Sequence, residues 1–345
     1  MSSLLFFAKI PMNVVLFEPV HRLLAQHPEL RITFTGKFRG GSDLDGLFST
    51  FDLRGAATTP NWLARLRAYD VYVSPDFRLA SKRSRVKVHM FHGFSIRNFA
   101  IHPRVKDFDK LFLLGPYMKR RFLQSGILAP DDPRIEEVGM PKLDPLVRGE
   151  FDRVRVLEAL RLDPARKTVL FAPTWIKGGC LDVQGEEIVR ALARVPVNVI
   201  VKLHDNSFDP RKQRVDFGAV LPPLFSSSMR MATGFDSNPY LAAADLLISD
   251  ASSVANEYLV LDRPLVFFRC PELEKDWPST DRETWGTKTG TTIERPAELE
   301  RAVLEGLDAP TTLSAIRRAA AADFFYDPGT AAERAAQRLL AYARE

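Results

Sequence analysis

Residues 245–268 run Asp-Leu-Leu-Ile-Ser-Asp-Ala-Ser-Ser-Val-Ala-Asn-Glu-Tyr-Leu-Val-Leu-Asp-Arg-Pro-Leu-Val-Phe-Phe. Asp245–Ser249 is a short apolar run that stops at Asp250, Val254–Leu261 reads as a helix, and Pro264–Phe268 is a second apolar run. Strand, helix and strand in so short a stretch make the crossover unit of a parallel sheet. The strand cores are apolar at consecutive positions, which suits strands covered by helices on both faces.

The rhythm extends in both directions. Upstream, Lys167–Phe171 and Val197–Leu203 read as strands that end at Ala172-Pro173-Thr174 and at His204, with helices at Arg153–Leu160, Gly185–Ala193 and Asn238–Ala244. Downstream, Pro296–Leu307, Leu313–Ala321 and Ala331–Arg344 read as helices. In the first half, strands are expected at Arg31–Thr35, Asp70–Ser74, Val86–Phe91 and Lys110–Leu114. Helices are expected there at Val20–Gln26, Asn61–Ala68 and Tyr117–Gln124, and Asn13–Phe17 reads as a strand or a helix entry. The turn-rich Gly139–Glu150 parts the two series. The expected fold is α/β, with two Rossmann-like doubly wound domains facing a cleft. Residues 1–145 form the first, residues 146–330 the second, and a helix at 331–345 crosses back.

Composition narrows the class. Of 345 residues, 46% are hydrophobic and 26% charged, the balance of a folded globular chain. Two cysteines are too few for a disulfide framework and point to a reducing, cytoplasmic setting. The apolar N-terminus is broken by Lys9, Pro11 and Asn13, so it reads as an opening strand rather than a signal peptide, and no run approaches the roughly 20 apolar residues of a membrane span. The net charge of +5 is uneven: the positive surplus lies in residues 1–150, densest at Lys82, Arg83, Arg85 and Lys87, with Lys119, Arg120 and Arg121 in support. That half suits anionic lipid or a polyanionic acceptor, while no nucleic-acid-binding module accompanies the charge.

Ligands of doubly wound sheets bind outside the carboxyl ends of the strands, and the noteworthy polar residues all fall there. Asp250 ends a strand, and Ser252 and Ser253 open the next helix, whose free N–H groups and positive dipole end favour a phosphate. A serine there also serves as an ordinary helix cap. Lys202 and His204 end another strand: the lysine offsets phosphate charge, and the histidine donates to a phosphoryl oxygen or protonates a leaving group. Thr174 and Lys177 follow a third, beside the flexible Gly178-Gly179 pair, with Trp175 read as core. In the first half His92, exposed by a turn at Gly93, has the pKa of a general base. Strand alternation puts His89 on the other face, in a structural place, and no carboxylate or cysteine accompanies the pair to make a metal site. Walker and Gly-x-Gly-x-x-Gly motifs are absent, against ATPase and dinucleotide chemistry.

In order, these segments resemble the CDP-glycerol glycerophosphotransferase family of teichoic-acid and capsule assembly. Its Trp-His-Gly-Thr-Pro-Leu-Lys is similar to Phe91–Arg97, its Gly-Tyr-Pro-Arg-Asn-Asp to Gly139–Asp144, and its Ala-Pro-Thr-Trp-Arg to Ala172–Lys177. Its Arg-Leu-His is similar to Lys202–His204, and its Thr-Asp-Tyr-Ser-Ser, Asp and Lys-Pro to Ser249–Ser253, Glu257 and Arg263-Pro264. Its closing Tyr-Asp-Gly-Lys-Ala-Ser-Glu-Arg is similar to Tyr326–Arg334. Ala251 stands where the family has Tyr, Asp205 where it has Pro, and Leu143 where it has Asn. The resemblance implies a GT-B architecture and transfer of a polyol phosphate from a CDP-linked donor, with no cofactor and no metal. The acceptor it implies is a glycan or polyol phosphate, lipid-linked or free, met in the cytoplasm or at the cytoplasmic face of the inner membrane. His92 and His204 would be catalytic; Thr174, Lys177, Lys202, Asp250, Ser252, Ser253 and Glu257 would bind donor; Gly93, Ser95 and Arg97 would lie on the acceptor side. The same architecture also hosts glycosyltransferases that use nucleotide sugars, sugar-nucleotide epimerases and non-catalytic nucleotide-binding subunits, which the residues leave open.

Overall fold

The computed structural model describes residues 1–36, 48–77, 79, 81–93, 100–209, 211–213, 215–275 and 286–345. The described residues form two compact units: those of 1–93 and 100–148 together with 322–345, and those of 149–321. The division falls three residues beyond the expected join at 145. The returning segment starts at residue 322, inside the helix Ser314–Phe324, rather than at 331.

The first unit is built on seven parallel strands: β1 (Ser2–Ala8), β2 (Leu30–Gly36), β3 (Ala57–Thr58), β4 (Val71–Ser74), β5 (Val86–Met90), β6 (Lys110–Leu113) and β7 (Ile135–Glu137). Their order in the sheet is β3-β2-β1-β4-β5-β6-β7. The opening strand stops at Ala8, and Asn13–Phe17 belongs to the helix Pro11–Leu24, which starts on a proline whose fixed φ suits the first helical position. Phe6, Phe17 and Phe34 pack at ring separations of 4.9 and 5.1 Å under that helix.

The helix Ala331–Arg344 lays Ala332, Ala335, Leu339 and Tyr342 into the same core. Its start is fixed by the Gly139–Asp144 segment. Asp144 is fully buried and accepts the amides of Gly329 and Ala332 at 2.8 and 2.6 Å, which satisfies donors left open at the helix start. Gly139 has φ +94°, and a Cβ there would lie 2.5 Å from the Tyr326 carbonyl. Arg334 closes the joint by donating to the carbonyls of Val138 and Tyr326. Two segments that carry the family resemblance are thus one structural brace.

The second unit holds six parallel strands: β8 (Thr168–Phe171), β9 (Asn198–Val201), β10 (Met229–Met231), β11 (Leu246–Ser249), β12 (Leu265–Phe268) and β13 (Thr291–Ile293). Their order, β10-β9-β8-β11-β12-β13, is that of a Rossmann sheet, with its switch point between β8 and β11. Every residue of β8, β9, β11 and β12 is buried, as unbroken apolar runs require. The helix Cys180–Leu192 begins five residues before the expected Gly185, with a break at Gln184 (φ −148°).

Candidate functional site

The second unit gathers its candidates at the carboxyl ends of three adjacent strands, β9, β8 and β11. The Asp250 carboxylate, 5% exposed, accepts the amide of Thr174 at 2.7 Å and that of Cys180 at 3.0 Å. Ser249 Oγ donates to the Ala172 carbonyl at 2.7 Å. The end of β11 thereby clamps the loop that leaves β8 and the start of the helix after it. Gly179 sits in the crook of this clamp, where a Cβ would lie 2.6 Å from Thr174 Cγ2 and 3.1 Å from Asp250 Oδ2. Burial pushes the Asp250 pKa up, against the amides that hold it down. Cys180 and Cys270 are buried and free beside it, and burial raises the Cys180 thiol well above its ordinary value.

Two of the residues grouped with the donor contacts, Asp250 and Glu257, are buried. The oxygens of Asp250 are occupied by backbone amides, and Glu257 is 5% exposed on the inner side of the helix Ser253–Tyr258. Thr174 is likewise buried, whereas Lys177 is exposed. Ser252 holds the N-cap position with extended backbone (φ −78°, ψ 141°), yet its hydroxyl makes no capping bond. Both serines are half-buried, and among the described residues neither hydroxyl takes a partner.

His204 opens a 3-10 turn, Asp205–Phe208, and its Nδ1 accepts the Asn206 amide at 3.0 Å. That bond places the proton of the neutral ring on Nε2. Burial, with Lys202 and Lys212 close by, pushes its pKa down to about 4, so the ring is neutral at pH 7 and offers a hydrogen bond rather than a labile proton. Its neighbour Trp175 is half-buried rather than core: the indole lies 5.8 Å from the His204 ring, carries Lys212 Nζ at 5.1 Å from its centroid, and its carbonyl accepts Gln213. Lys202 is half-buried and donates to the Leu203 carbonyl.

In the first unit His92 follows β5, and its Nδ1 lies 3.2 Å from the Pro75 carbonyl. A carbonyl can only accept, so this contact puts the ring hydrogen on Nδ1 and leaves the Nε2 lone pair outward, the tautomer a general base needs. The surrounding protein holds its pKa below 6.5, partly opposed by the bond to Pro75, with Lys142 and Lys9 adding positive charge. Gly93, at φ +148°, makes the turn beyond it. His89 stacks on Phe77 at 5.0 Å and meets Phe91 and Phe108 edge-on, a fully buried aromatic cage that drives its pKa down to about 3. Ser95 and Arg97 lie outside the described residues.

The cationic cluster is largely spent within the unit. Arg85 lies 3.7 Å from Asp70, Lys87 2.6 Å from Asp109, Lys119 2.8 Å from Glu137 and Arg120 2.5 Å from Asp323. Among the described residues no trio of His, Cys, Asp or Glu could hold a metal ion, and no helix is long and apolar enough to cross a membrane.

Comparison with known proteins gives a consistent picture. Residues 129–340 match the family described as CDP-Glycerol:Poly(glycerophosphate) glycerophosphotransferase. A teichoic acid ribitol-phosphate primase from Bacillus spizizenii is 24% identical over 75% of this chain and 70% of its own length. Among solved structures, the wall teichoic acid polymerase TagF superposes with a TM-score of 0.68 at 15% identity, over 99% of this chain and 88% of that one. A putative UDP-N-acetylglucosamine 2-epimerase from Listeria monocytogenes superposes with a TM-score of 0.65 at 15% identity, over 99% and 96%. The fold is therefore shared by transferases and epimerases alike, and it is the sequence match that separates them.

Proposed function

The chain belongs to the CDP-glycerol:poly(glycerophosphate) glycerophosphotransferase family, the polyol-phosphate transferases of wall-polymer synthesis, and we propose that its own donor is CDP-glycerol. The observation that carries the donor reading is the family match over residues 129–340, which takes in the loops after β8, β9 and β11. In this reading the donor diphosphate lies against Ser252, Ser253, the first amides of their helix, Lys202 and the Nε2–H of His204. Asp250 acts indirectly, by fixing the loop that carries Thr174 to Lys177. The acceptor is a glycan or polyol phosphate, lipid-linked or free, met in the cytoplasm or at the cytoplasmic face of the inner membrane, and the reaction needs no cofactor.

The acceptor hydroxyl attacks the glycerol-bearing phosphorus, the bond from that phosphorus to the CMP oxygen breaks, and CMP departs with the electron pair. His92 Nε2 takes the hydroxyl proton. His204 donates a hydrogen bond where charge grows on the departing phosphate, which is most useful when the donor is already in place. Incubating the protein with CDP-glycerol, CDP-ribitol and UDP-N-acetylglucosamine and measuring CMP or UDP release decides the reading. CMP release from CDP-glycerol, dependent on a polyol-phosphate acceptor, is the expected result; release only from the sugar nucleotide would overturn it. The ribitol arm matters because the Bacillus relative is named for ribitol phosphate.

Replacing Ser252 and Ser253 together by alanine should weaken CDP binding by about tenfold or more, since each hydroxyl would otherwise bond a charged phosphate. The unfolding midpoint should hardly move, because Ser252 makes no capping bond to lose. Isothermal titration with CDP checks this; unchanged affinity in the folded double variant refutes the placement of the diphosphate.

A further inference from the structure

The first sheet has a switch point of its own, and neither the two histidines nor the donor-side residues line it. In its strand order the connections reverse between β1 and β4, where a crevice outside the carboxyl ends is the usual ligand position. Lys9 follows β1 directly, and Asp76 lies two residues beyond β4. Their side chains meet at 2.5 Å beside a cavity of about 720 Å³ that Leu79, Lys82, Arg104 and Asp107 also line. That volume falls within the roughly 300–1,000 Å³ of small-molecule sites.

The lining carries three cations and two carboxylates. Lys9 faces Asp76, and Arg104 reaches Asp107 at 3.5 Å while donating to the Phe77 carbonyl at 2.6 Å. Lys82 is exposed and takes no ion pair among the described residues. An apolar or purely cationic molecule gains little here. A phosphodiester that also carries hydroxyl groups gains twice: ammonium and guanidinium groups meet its phosphate oxygens, and carboxylates accept from its hydroxyls. The cavity is also tied to the base. Pro75, adjacent to Asp76, receives the Nδ1 hydrogen of His92, and both Lys9 and Asp76 act electrostatically on that ring.

We propose that this cavity is an acceptor subsite that holds a terminal polyol-phosphate unit beside His92, with Lys82 and Arg104 on its phosphodiester and Asp76 on a polyol hydroxyl. The inference rests on the transferase reading above and gives the polyol-phosphate end of the acceptor a place among named residues of the first unit. It gives the enzyme a preference for acceptors that already carry a phosphate over neutral glycans of equal size.

The test is isothermal titration of the full chain with a short synthetic oligo(glycerol phosphate), its oligo(ribitol phosphate) counterpart, an uncharged oligoglycerol of the same length, and CDP. A Lys82→Gln/Arg104→Gln variant is expected to bind the phosphate oligomers at least about tenfold more weakly, with CDP affinity unchanged, because charge-assisted bonds to the phosphodiester are lost and the donor site is untouched. Both side chains sit at the surface of the cavity, and matching circular dichroism and unfolding midpoints verify that the variant is folded. Equal binding by variant and wild type, a parallel loss of CDP affinity, or no wild-type binding of either phosphate oligomer would each overturn the subsite. The readout does not need turnover. A wild-type chain that releases no CMP from any CDP-polyol, yet shows the tenfold loss in the variant, refutes the transferase reading and leaves the subsite standing.

Discussion

Replacing His92 by alanine will lower turnover with CDP-glycerol by about a hundred- to ten-thousand-fold, the usual range for removing a general base. The affinity for CDP will stay near that of the wild type, because His92 lies in the first unit and the donor loops in the second. The tautomer supports the size of the effect. With Nδ1–H given to the Pro75 carbonyl, the lone pair on Nε2 is held ready without a reorientation step. The pH dependence follows in sign. The base works unprotonated, and its surroundings lower its pKa from 6.5, so the rate is full at neutral pH and falls only as the pH drops through a value below 6.5. Steady-state kinetics of the two proteins from pH 5 to 8, with CDP titrations alongside, checks both points. A His92→Ala protein with near-normal turnover, or a wild-type acid limb centred above pH 7, would remove His92 from the base role.

The second large effect is on stability. Asp250→Ala will leave the amides of Thr174 and Cys180 buried without an acceptor, at a cost of roughly 2–5 kcal/mol for the two together. Alanine cannot be excused as a small cavity, because the loss is of the acceptor and not of volume. Asp250→Asn keeps one carbonyl oxygen and turns an NH2 toward the other amide, so it recovers only part of the loss. Urea unfolding followed by tryptophan fluorescence, read together with CDP affinity, distinguishes bracing from direct contact. A variant of wild-type stability that fails only to bind CDP would mean that Asp250 touches the ligand after all.

The inner strands were legible because burial on both faces writes them as unbroken apolar runs. All four strands that went unread are the edges of the two sheets: β3, β7, β10 and β13. Ala-Thr, Ile-Glu-Glu, Met-Arg-Met and Thr-Thr-Ile are short, and each pairs on one side only, so no apolar run marks them. The buried, structural place of His89 was readable from strand alternation within β5, whose period of two survives without coordinates. The bracing role of Asp250 was hidden for the reverse reason. A carboxylate at a strand end looks the same in sequence whether it faces a ligand or the neighbouring loop, and only the amide distances tell which. Lys9, Asp76 and Arg104 carry no local signature at all, since nearly a hundred residues separate the first from the last and the fold alone assembles them.

The brace between Asp144 and the helix Ala331–Arg344 has a consequence for how the chain is made. The first unit is translated first but lacks the helix that covers Phe6, Val73 and Val88 until roughly two hundred further residues have emerged. At about 5–20 residues per second that is a wait of roughly 10–40 s. Among the described residues the second unit is continuous in sequence and can close while the first still waits with an apolar face open. On the ribosome the order of completion is therefore inverted relative to the order of synthesis, and the N-terminal sheet is the part whose apolar face stays uncovered during that interval.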